Sequence, residues 1–322
     1  MSEPHRRILV TGGAGFIGSH LVDLLLERAG VEVAVLDRLT YAGDLANLDR
    51  HREDPRLRFV RGDVADPAAV ERLVRESDHV IHAAAESFVD RSIADSTDFV
   101  RSNVLGTQVV LEACRAAGRP LLFVSTDEVY GEGDEGGTFD EDAPLRPRSP
   151  YAASKAAADL LCRSYVVTYG ARVTVARGTN AYGPRQHPEK AVPTFAIAAL
   201  SGRPVPVYGD GAHRREWLFV TDWARALVAI LDAGEPGGVY NIGGGDEVPN
   251  VELARRVCSL AGAPASLVTR VPDRPGHDLR YGLAWDRLAA LGWRPEVSFD
   301  EGLAQTVDWY RERATDREGA AR

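Results

Sequence analysis

Short aliphatic runs alternate with helical patterns over the first half of this 322-residue chain, and this alternation constrains the fold more than any other feature. The runs cover residues 7–10, 31–36, 57–60, 79–81, 121–124 and 173–175. They are apolar throughout, as expected of strands that are buried on both faces of a sheet. Strands that alternate with helices form parallel sheets with helices on both sides. The sequence therefore predicts an α/β protein with a doubly wound, parallel (Rossmann) sheet.

The pattern changes near Asn180, where the alternation loosens and prolines become frequent. Short segments such as Val205-Pro206-Val207-Tyr208 are typical of a smaller α/β lobe. We therefore expect residues 1–178 to form the sheet domain, which the chain re-enters at about 217–245. Residues 179–216 and 246–322 are expected to form the second, smaller lobe.

Charge and cysteine content exclude several classes of function. Acidic residues outnumber basic ones, 47 to 38, and the net charge of −9 would repel the phosphates of nucleic acid. Cys114, Cys162 and Cys258 have no paired spacing, which favours reduced thiols over a disulfide framework. The sequence also has no apolar run of roughly 18 residues and no signal-peptide pattern. We therefore expect a cytoplasmic protein that binds neither nucleic acid nor a membrane.

A glycine-rich motif, Thr11-Gly12-Gly13-Ala14-Gly15-Phe16-Ile17-Gly18, follows the first predicted strand and opens a helix. In such a motif Gly12 permits a tight turn, Gly15 lets the backbone approach a pyrophosphate, and Gly18 allows close packing of helix and strand. The helix N-terminus, at Phe16 and Ile17, adds a positive dipole for the phosphates. The motif predicts a dinucleotide site.

Asp37 ends the second predicted strand about 20 residues further on, where a carboxylate can accept hydrogen bonds from both ribose hydroxyls. Its charge would repel a 2′-phosphate, so NAD is favoured, although Arg38 leaves NADP open. The next two predicted strands are followed by residues expected at the adenine and nicotinamide ends of the cofactor. They are Asp63, Val64, Ala83 and Ala85.

Tyr151 and Lys155 lie one helical turn apart, just after Pro150, a plausible first residue of the helix. A phenol has a pKa near 10, so it needs a neighbouring cation to act as a base near neutral pH. Lys155 and the positively charged nicotinamide would provide that charge. Tyr151 is therefore a candidate base for a sugar hydroxyl.

Thr126-Asp127-Glu128 stands at the end of the fifth predicted strand, upstream of Tyr151. Two neighbouring carboxyls in a confined site resist simultaneous ionisation, so one is expected to be an acid and the other a base. This arrangement favours elimination chemistry. A purely structural role, in which the two carboxyls cap a loop, is the alternative.

These motifs resemble those of the extended short-chain dehydrogenase/reductase superfamily, and the tripeptide is most similar to that of the dTDP-glucose 4,6-dehydratases. The likeness runs from about Arg7 to Tyr310 and includes residues 37–43, 82–87, 89–92, 125–131 and 187–190. It implies NAD as cofactor and a nucleotide-diphosphate sugar as substrate, bound in the second lobe. It also implies a homodimer that is formed by the helices at 97–117 and 151–169.

The resemblance implies a role for each catalytic side chain. Tyr151, supported by Lys155, takes the proton of the C4 hydroxyl as hydride passes to NAD, and Thr126 orients that oxygen. Glu128 then removes the C5 proton while Asp127 donates a proton to the departing C6 hydroxyl. Return of the hydride to C6 regenerates the cofactor.

The resemblance also implies substrate-binding residues. Arg215 matches an arginine expected on the diphosphate, because a guanidinium suits the geometry of phosphate. The other matches are Ser87, Asn180, Glu189, Lys190, Asn250, Arg274 and His277. For each of them a structural role, such as a salt bridge, is the alternative.

Three positions depart from the family pattern, which usually has histidine at Phe88, asparagine at Ala181 and tyrosine at Arg185. The Gly-Pro-Arg form at 183–185 is more typical of related epimerases and decarboxylases, and Arg185 would either bind a charged group of the sugar or point to solvent. A related NAD-dependent 4-epimerase or decarboxylase is therefore the first alternative, and a non-catalytic dinucleotide-binding protein is the second. The eight histidines lack the spacing of metal ligands, so no metal is expected.

Overall fold

A computed structural model describes residues 5–133 and 137–320 of the chain, with side chains described up to residue 314. The first and last residues of the predicted domains, 1–4 and 321–322, lie outside the described residues. Among the helices that the structure describes, none is both long enough and apolar enough to cross a membrane.

Twelve strands and eleven α-helices can be defined in the described residues. The strands are β1 (Arg6–Thr11), β2 (Val31–Asp37), β3 (Leu57–Arg61), β4 (His79–His82), β5 (Leu121–Thr126), β6 (Val173–Gly178), β7 (Asn180–Tyr182), β8 (Val205–Tyr208), β9 (Arg214–Phe219), β10 (Val239–Ile242), β11 (Asp246–Pro249) and β12 (Val268–Val271). The helices are α1 (Phe16–Leu26), α2 (Pro67–Glu76), α3 (Val89–Ala94), α4 (Thr97–Phe99), α5 (Gly106–Ala117), α6 (Pro150–Tyr169), α7 (Ala191–Leu200), α8 (Val220–Ala233), α9 (Asn250–Ala261), α10 (Asp286–Ala290) and α11 (Phe299–Ala320). A π-helix (Val100–Leu105) joins α4 to α5, and 3-10 turns cover Leu45–His51, Asp127–Tyr130 and Ala265–Leu267.

Seven strands form one parallel sheet in the order β10-β6-β5-β4-β1-β2-β3. All six predicted strands belong to it, which confirms the doubly wound parallel fold. Successive residues of β1 pack into cores on opposite faces: Ile8 and Val10 join one cluster and Leu9 the other. The apolar runs of the sequence are therefore explained by burial on both faces of the sheet.

Two small sheets form the second lobe. One has the order β11-β9-β7 and the other pairs β12 with β8, and helices α7, α9 and α11 pack on them around a separate core. Helix α8 instead packs on α1, and β10 completes the large sheet. Helix α10 also contacts α8 and β10, so Leu288 adds to the core of the large sheet although it comes late in the chain.

The candidate site lies where the two parts meet. Strand β6 ends at Gly178 and β7 begins at Asn180, so the chain passes directly from the C-terminal edge of the large sheet into the lobe. A side chain at Gly178 would have its Cβ 1.9 Å from the indole of Trp223, whose Nε1 donates to the carbonyl of Thr179 at 3.0 Å. Ligands of open α/β sheets bind at this edge of the strands. The lobe therefore covers the part of the sheet that is expected to bind a ligand.

Candidate active site

A single cavity of about 470 Å³ lies between the edge of the sheet and the lobe, and every predicted site residue lines it. These residues are Gly12, Gly15, Phe16, Ile17, Gly18, Asp37, Arg38, Asp63, Val64, Ala83, Ala85, Ser87, Thr126, Asp127, Glu128, Tyr151, Lys155, Asn180, Glu189, Lys190, Arg215, Asn250, Arg274 and His277. Residues from both lobes therefore share one site. Their individual roles stay predictions.

The glycine motif forms a tight turn that leaves no room for a side chain at Gly12 or Gly18. Gly12 has φ +72, and a Cβ there would lie 2.7 Å from the backbone of Ala84 on the loop after β4. A Cβ at Gly18 would lie 2.1 Å from the carbonyl oxygen of Gly12. Gly15 caps the N-terminus of α1, which the cavity reaches. These features fit a bound pyrophosphate, because backbone N–H groups at a helix N-terminus bind phosphate oxygens.

Asp37 is buried at the end of β2, where its carboxylate accepts hydrogen bonds from the backbone N–H groups of Ala14 (3.0 Å) and Leu39 (2.8 Å). These bonds fix the carboxylate beside the glycine turn, as a ribose-binding acid requires. Arg38, which left NADP open, pairs with Asp63 at 3.4 Å. The carboxylate thus lies beside the glycine turn and the arginine is held by another acid, an arrangement that fits NAD.

The tripeptide turns sharply at the end of β5. Thr126 accepts a hydrogen bond from the backbone N–H of Glu128 at 3.3 Å and donates one to Asp127 at 3.2 Å. Burial, together with the charges of Glu128 and Glu216, raises the pKa of Asp127 to about 8. One oxygen of Asp127, Oδ2, is buried without a hydrogen-bond partner in the described residues. Asp127 is therefore held as a protonated acid near neutral pH.

Glu128 has different neighbours. Burial raises its pKa, but the cations Arg274, Lys190 and Arg215 oppose this shift. The pKa of Asp127 is instead raised further by its acidic neighbours Glu128 and Glu216, and Arg215 opposes this rise. The surroundings of the two carboxyls therefore favour Asp127 as the acid and Glu128 as the base.

Tyr151 and Lys155 lie on the first turns of α6, which begins at Pro150 as predicted, with the side chain of Ser149 as its cap. The Lys155 ammonium donates to the carbonyl of Val124 at 2.7 Å and lies over the ring of Phe123. Burial lowers the pKa of Lys155 to about 8.

The pKa of Tyr151 is raised by burial and by the charge of Glu128, while a side-chain hydrogen bond with Thr126 opposes this rise. Lys155 is not among the largest causes that act on the pKa of Tyr151 in this arrangement, where its ammonium donates to the carbonyl of Val124. The phenol is therefore protonated in this arrangement.

The substrate side of the cavity contains polar groups without protein partners. In the described residues, Asn180 Nδ2, Asn250 Oδ1 and Arg274 Nε are buried and make no hydrogen bond. Arg215 donates to the carbonyls of Arg214, Leu279 and Asp278, and these bonds fix its guanidinium. Because buried polar groups are normally satisfied, these atoms are suited to the oxygens and nitrogens of a ligand.

Two of the predicted substrate residues bridge the two lobes. Glu189 forms an ion pair with Arg91 of α3, and Lys190 donates to the carbonyl of Ser87 at 2.6 Å. Glu189 therefore makes a salt bridge of the kind that the structural alternative describes, and it also lines the cavity. Lys190 lines the cavity and also connects the lobes.

The structure changes the interpretation of the three unusual positions. Phe88 and Ala181 line the cavity, where they replace polar groups with apolar ones. Arg185, at φ +67, instead forms a salt bridge with the buried Asp23 at 2.8 Å and does not line the cavity. Both predictions for Arg185, a ligand for the sugar and a solvent-exposed cation, are therefore wrong.

One group of potential metal ligands was missed because its members are distant in sequence. His213, Asp273 and His277 come together, and Asp273 contacts His213 at 3.2 Å and His277 at 2.7 Å. The two imidazole rings stack at 3.7 Å with an angle of 13° between their planes. A metal ion lies in the plane of each imidazole that binds it, which two parallel stacked rings do not allow. The group is better described as a hydrogen-bonded support for the segment that carries His277.

Sequence reasoning also missed Glu216 and Trp217, which follow Arg215 on β9. Trp217 lines the cavity, and Glu216 accepts hydrogen bonds from Gly244 at 2.5 Å and Gly245 at 3.0 Å. A signal for Trp217 was available: residues two apart on a strand share a face, so Arg215 and Trp217 were expected on the same side.

Comparisons with known proteins agree with this architecture. The model of the NAD dependent epimerase/dehydratase family matches residues 8–243. A dTDP-glucose 4,6-dehydratase of Actinoplanes sp. is 51% identical over 314 residues, which cover 95% of this chain and 98% of the relative.

Solved structures give the same result. DesIV, a dTDP-glucose 4,6-dehydratase from Streptomyces venezuelae with NAD and TYD bound, has a TM-score of 0.93 at 50% identity, covering 96% of this chain and 98% of the other. A UDP-glucose 4-epimerase of Thermus thermophilus in complex with NAD has a TM-score of 0.87 at 41% identity, covering 95% and 99%.

Proposed function

The chain belongs to the NAD dependent epimerase/dehydratase family, and we propose that it is an NAD-dependent nucleotide-sugar 4,6-dehydratase. The reaction converts dTDP-glucose, or a close analogue, to the 4-keto-6-deoxy sugar. The observation that carries this function is the pair of the buried Asp127 and the half-buried Glu128, which lines the same cavity as Tyr151. The relatives at about half identity named above support it, and they confirm the family that the motifs predicted.

The cofactor side of the cavity would bind NAD, which supplies a hydride acceptor and later the hydride donor. The turn at Gly12 and the N-terminus of α1 are suited to its pyrophosphate. Asp37 is suited to a ribose diol. Small residues after β4, Ala83 and Ala85, leave space beside these groups.

Tyr151 would remove the proton of the C4 hydroxyl, and Thr126 would hold that oxygen in place. Burial keeps the phenol of Tyr151 protonated, so its deprotonation must depend on positive charge in the loaded site. The protein supplies one such charge on α6, where Lys155 follows Tyr151 by one helical turn. We therefore propose that Lys155 lowers the pKa of Tyr151 only when cofactor and substrate are bound.

The elimination step would use the two carboxyls in opposite roles. A ketone at C4 acidifies the C5 proton, which Glu128 removes as a general base. Asp127, protonated up to about pH 8, gives its proton to the C6 hydroxyl as it leaves. The cations near Glu128 and the acids near Asp127 support this assignment.

The alternatives are less well supported. A 4-epimerase needs no acid and base for loss of water, so the Asp127–Glu128 pair would have no function in it. Arg185, which suggested an epimerase or a decarboxylase, lies outside the cavity and pairs with Asp23. A non-catalytic dinucleotide-binding protein would not need Tyr151, Lys155 and Glu128 in one site.

The activity can be tested by incubating NAD-loaded protein with dTDP-glucose in deuterated water and analysing the product by mass spectrometry. We expect a product that has lost one water and carries one deuterium at C5. An unchanged nucleotide sugar, with the NAD content of the protein proven, would exclude this substrate. A parallel panel of nucleotide sugars would identify a different base or sugar, and inversion at C4 without loss of water would favour the epimerase.

We further propose that the protein is a homodimer. Helix α6 exposes Leu160 and Val167, at 53% and 77%, and the π-helix before α5 exposes Val100 at 54%. Apolar side chains on neighbouring helices are suited to an interface between two copies. Analytical ultracentrifugation would test this, and a Val167→Glu variant should shift the protein toward the monomer.

A cytoplasmic location is also proposed. Cys114, Cys162 and Cys258 are buried and unpaired, as expected in a reducing compartment. Fractionation of the cells that produce the protein would test this location.

A further inference from the structure

A buried network of hydrogen bonds lies behind the catalytic tripeptide, and the chemistry proposed above does not use it. Tyr130 is the last residue of the 3-10 turn that begins with Asp127 and Glu128, and its side chain is buried. Its hydroxyl donates to Asn241 Oδ1 at 2.7 Å and accepts from Arg177 Nη1 at 2.9 Å. Burial raises the pKa of Tyr130 to about 12, so the phenol keeps the proton that it donates.

The other end of this network lies on the helix of Tyr151 and Lys155. Asp159 follows Lys155 by one helical turn, so the three side chains share one face of α6. The carboxylate of Asp159 accepts two hydrogen bonds from Arg177, from Nε and from Nη2, each at 2.8 Å. Both side chains are buried, and a buried ion pair is costly to break. Because two parallel bonds fix the plane of the guanidinium, Arg177 holds a defined position relative to α6.

The catalytic turn is held at both of its ends. At one end, the register of β5 with β6 stops at Thr126, which pairs with Gly178. At the other end, the hydroxyl of Tyr130 is bound by Arg177 of β6 and Asn241 of β10, which are themselves in register. The two catalytic carboxyls lie between these ends, beyond the last residue that the sheet pairs. Their placement therefore depends on the hydroxyl of Tyr130.

Two further contacts keep the turn folded without this hydroxyl. The backbone N–H of Arg146 donates to the carbonyl of Val129 at 2.9 Å, and the ring of Tyr130 stacks on Phe139 with the ring centroids 5.1 Å apart. A phenylalanine at position 130 can keep both contacts. Loss of the hydroxyl should therefore displace the turn rather than unfold it.

We propose that Tyr130, Arg177 and Asp159 are positioning residues for the elimination step. They hold the turn with the two catalytic carboxyls in a fixed place relative to the helix that carries the redox tyrosine. Thr126 and Tyr151 belong to the sheet and to that helix themselves, so oxidation at C4 should depend little on the network. This inference rests on the proposed function, because it needs a reaction in which oxidation at C4 is followed by loss of water.

The proposal can be tested with Tyr130→Phe, which removes only the hydroxyl. A displacement of about 1 Å at a reacting group can lower a rate by about 100-fold, so elimination should slow by roughly 10- to 100-fold. The rate of oxidation at C4, the NAD content and the affinity for dTDP should be retained. Stopped-flow mixing with dTDP-glucose should therefore show more reduced nicotinamide than in the wild type, and deuterium should enter C5 more slowly.

Tyr182→Phe is the matched control. Tyr182 is also buried, and its hydroxyl donates to the carbonyl of Phe299 at 3.0 Å in the core of the lobe. Loss of this hydroxyl should lower the melting temperature without changing the ratio of the elimination rate to the oxidation rate. Tyr130→Phe should lower that ratio, which a merely structural role would leave unchanged.

A second variant tests the connection to α6. Arg177→Lys keeps a positive charge beside Asp159 but loses the forked guanidinium that also reaches Tyr130. If the three side chains act as one network, Arg177→Lys should lower the same ratio, and adding Tyr130→Phe to it should have little further effect. If the two effects instead multiply, the residues act independently and the network is refuted.

The outcomes separate this inference from the proposed function. If the wild type removes water from dTDP-glucose or another nucleotide sugar, and Tyr130→Phe has the same ratio of rates, the positioning role is wrong and the proposed function is untouched. An equal fall of both rates in Tyr130→Phe would also overturn the positioning role, because it would indicate a general loss of structure. If the wild type removes water from no nucleotide sugar, both proposals fail.

Discussion

The two sides of the cavity are built in different ways. The cofactor side is built around a backbone turn that leaves no room for a side chain at Gly12 or Gly18. The substrate side consists of side chains from separate segments, such as Asn180 and Asn250. Their Nδ2 and Oδ1 atoms, respectively, are buried without a hydrogen-bond partner among the described residues. Substitutions that add a side chain on the cofactor side should therefore abolish NAD binding. Substitutions that shorten a side chain on the substrate side should lower substrate affinity only in part.

The largest effect is expected from Gly18→Ala, which tests the cofactor side directly. Its Cβ would lie 2.1 Å from the carbonyl oxygen of Gly12, and overpacking of this kind costs about 1–3 kcal/mol or more. We expect a lower melting temperature, loss of bound NAD and no measurable turnover. NAD content can be measured by absorbance after denaturation of the purified protein.

The control for this variant is Gly170→Ala. Gly170 caps α6 at φ +64 with no atom within 4 Å of an added Cβ, so only the left-handed backbone is strained, at about 1–2 kcal/mol. Its NAD content should equal that of the wild type. Normal NAD content in Gly18→Ala would contradict the conclusion that the cofactor side has no room for a side chain at this position.

The next largest effect is expected from Glu128→Gln, at the junction of the two sides. Loss of a general base lowers turnover by about 10²- to 10⁴-fold. NAD content and affinity for dTDP should be retained, because the role proposed for Glu128 is proton transfer and not binding of the cofactor or the nucleotide. Mixing with dTDP-glucose should still produce the absorbance of reduced nicotinamide, since hydride transfer from C4 precedes elimination.

The solvent-exchange experiment makes this prediction sharper. Glu128→Gln should incorporate no deuterium at C5, whereas Glu71→Gln on the exposed surface of α2 should behave as the wild type. Normal deuterium incorporation in Glu128→Gln would show that another group removes the C5 proton.

The same contrast explains what could be predicted from the sequence. The cofactor side depends on local backbone geometry, so one short motif and Asp37 were enough to predict it. The sheet was predictable because strands that are buried on both faces have a strong apolar signal. The alternation in the second half was weaker, and the packing of α10 on the core of the large sheet was not foreseen.

The substrate side could be predicted only in part. Arg185 was placed wrongly because its partner, Asp23, is distant in sequence and no local pattern connects them. The contact of His213 with Asp273 was not predicted for the same reason, since these two residues are also distant in sequence. The opposite environments of Asp127 and Glu128 also depend on residues from the lobe, so the pKa values could not be derived from the tripeptide alone.

A smaller effect is expected from Asn250→Ala on the substrate side. Asn250 Oδ1 is buried without a partner in the described residues, so the side chain is suited to one hydrogen bond with the nucleotide. Such a bond contributes about 0.5–1.5 kcal/mol, and KM for the nucleotide sugar should rise roughly 2- to 12-fold with kcat nearly unchanged. An equal fall of kcat would place Asn250 in the chemistry instead, and a loss of NAD would contradict the separation of the two sides.

The smallest effect is expected from Glu216→Gln, which tests whether the charge of Glu216, a residue of the lobe, raises the pKa of Asp127 at the edge of the sheet. Asp127 must be protonated to donate, so turnover should fall as pH rises through about 8. The pKa of Glu216 is raised to about 6, so above that pH its negative charge helps to keep Asp127 protonated. Its removal should move the alkaline limb of the pH profile to lower pH by roughly 0.5 unit, as expected for one like charge at some distance.

The sign of the stability change gives an independent test of the same residue. The pKa of Asp127 is raised on folding, so its contribution to stability is fully present below the ordinary pKa near 4 and is lost as pH rises toward about 8. Glu216→Gln keeps a carbonyl that can accept from Gly244, and by lowering the pKa of Asp127 it should flatten this decline. Melting temperatures measured between pH 5 and about 8 would show the flattening. A steeper fall of melting temperature with pH, or an alkaline limb at higher pH, would mean that Glu216 does not raise the pKa of Asp127. The acid at the edge of the sheet would then be electrostatically independent of this residue of the lobe.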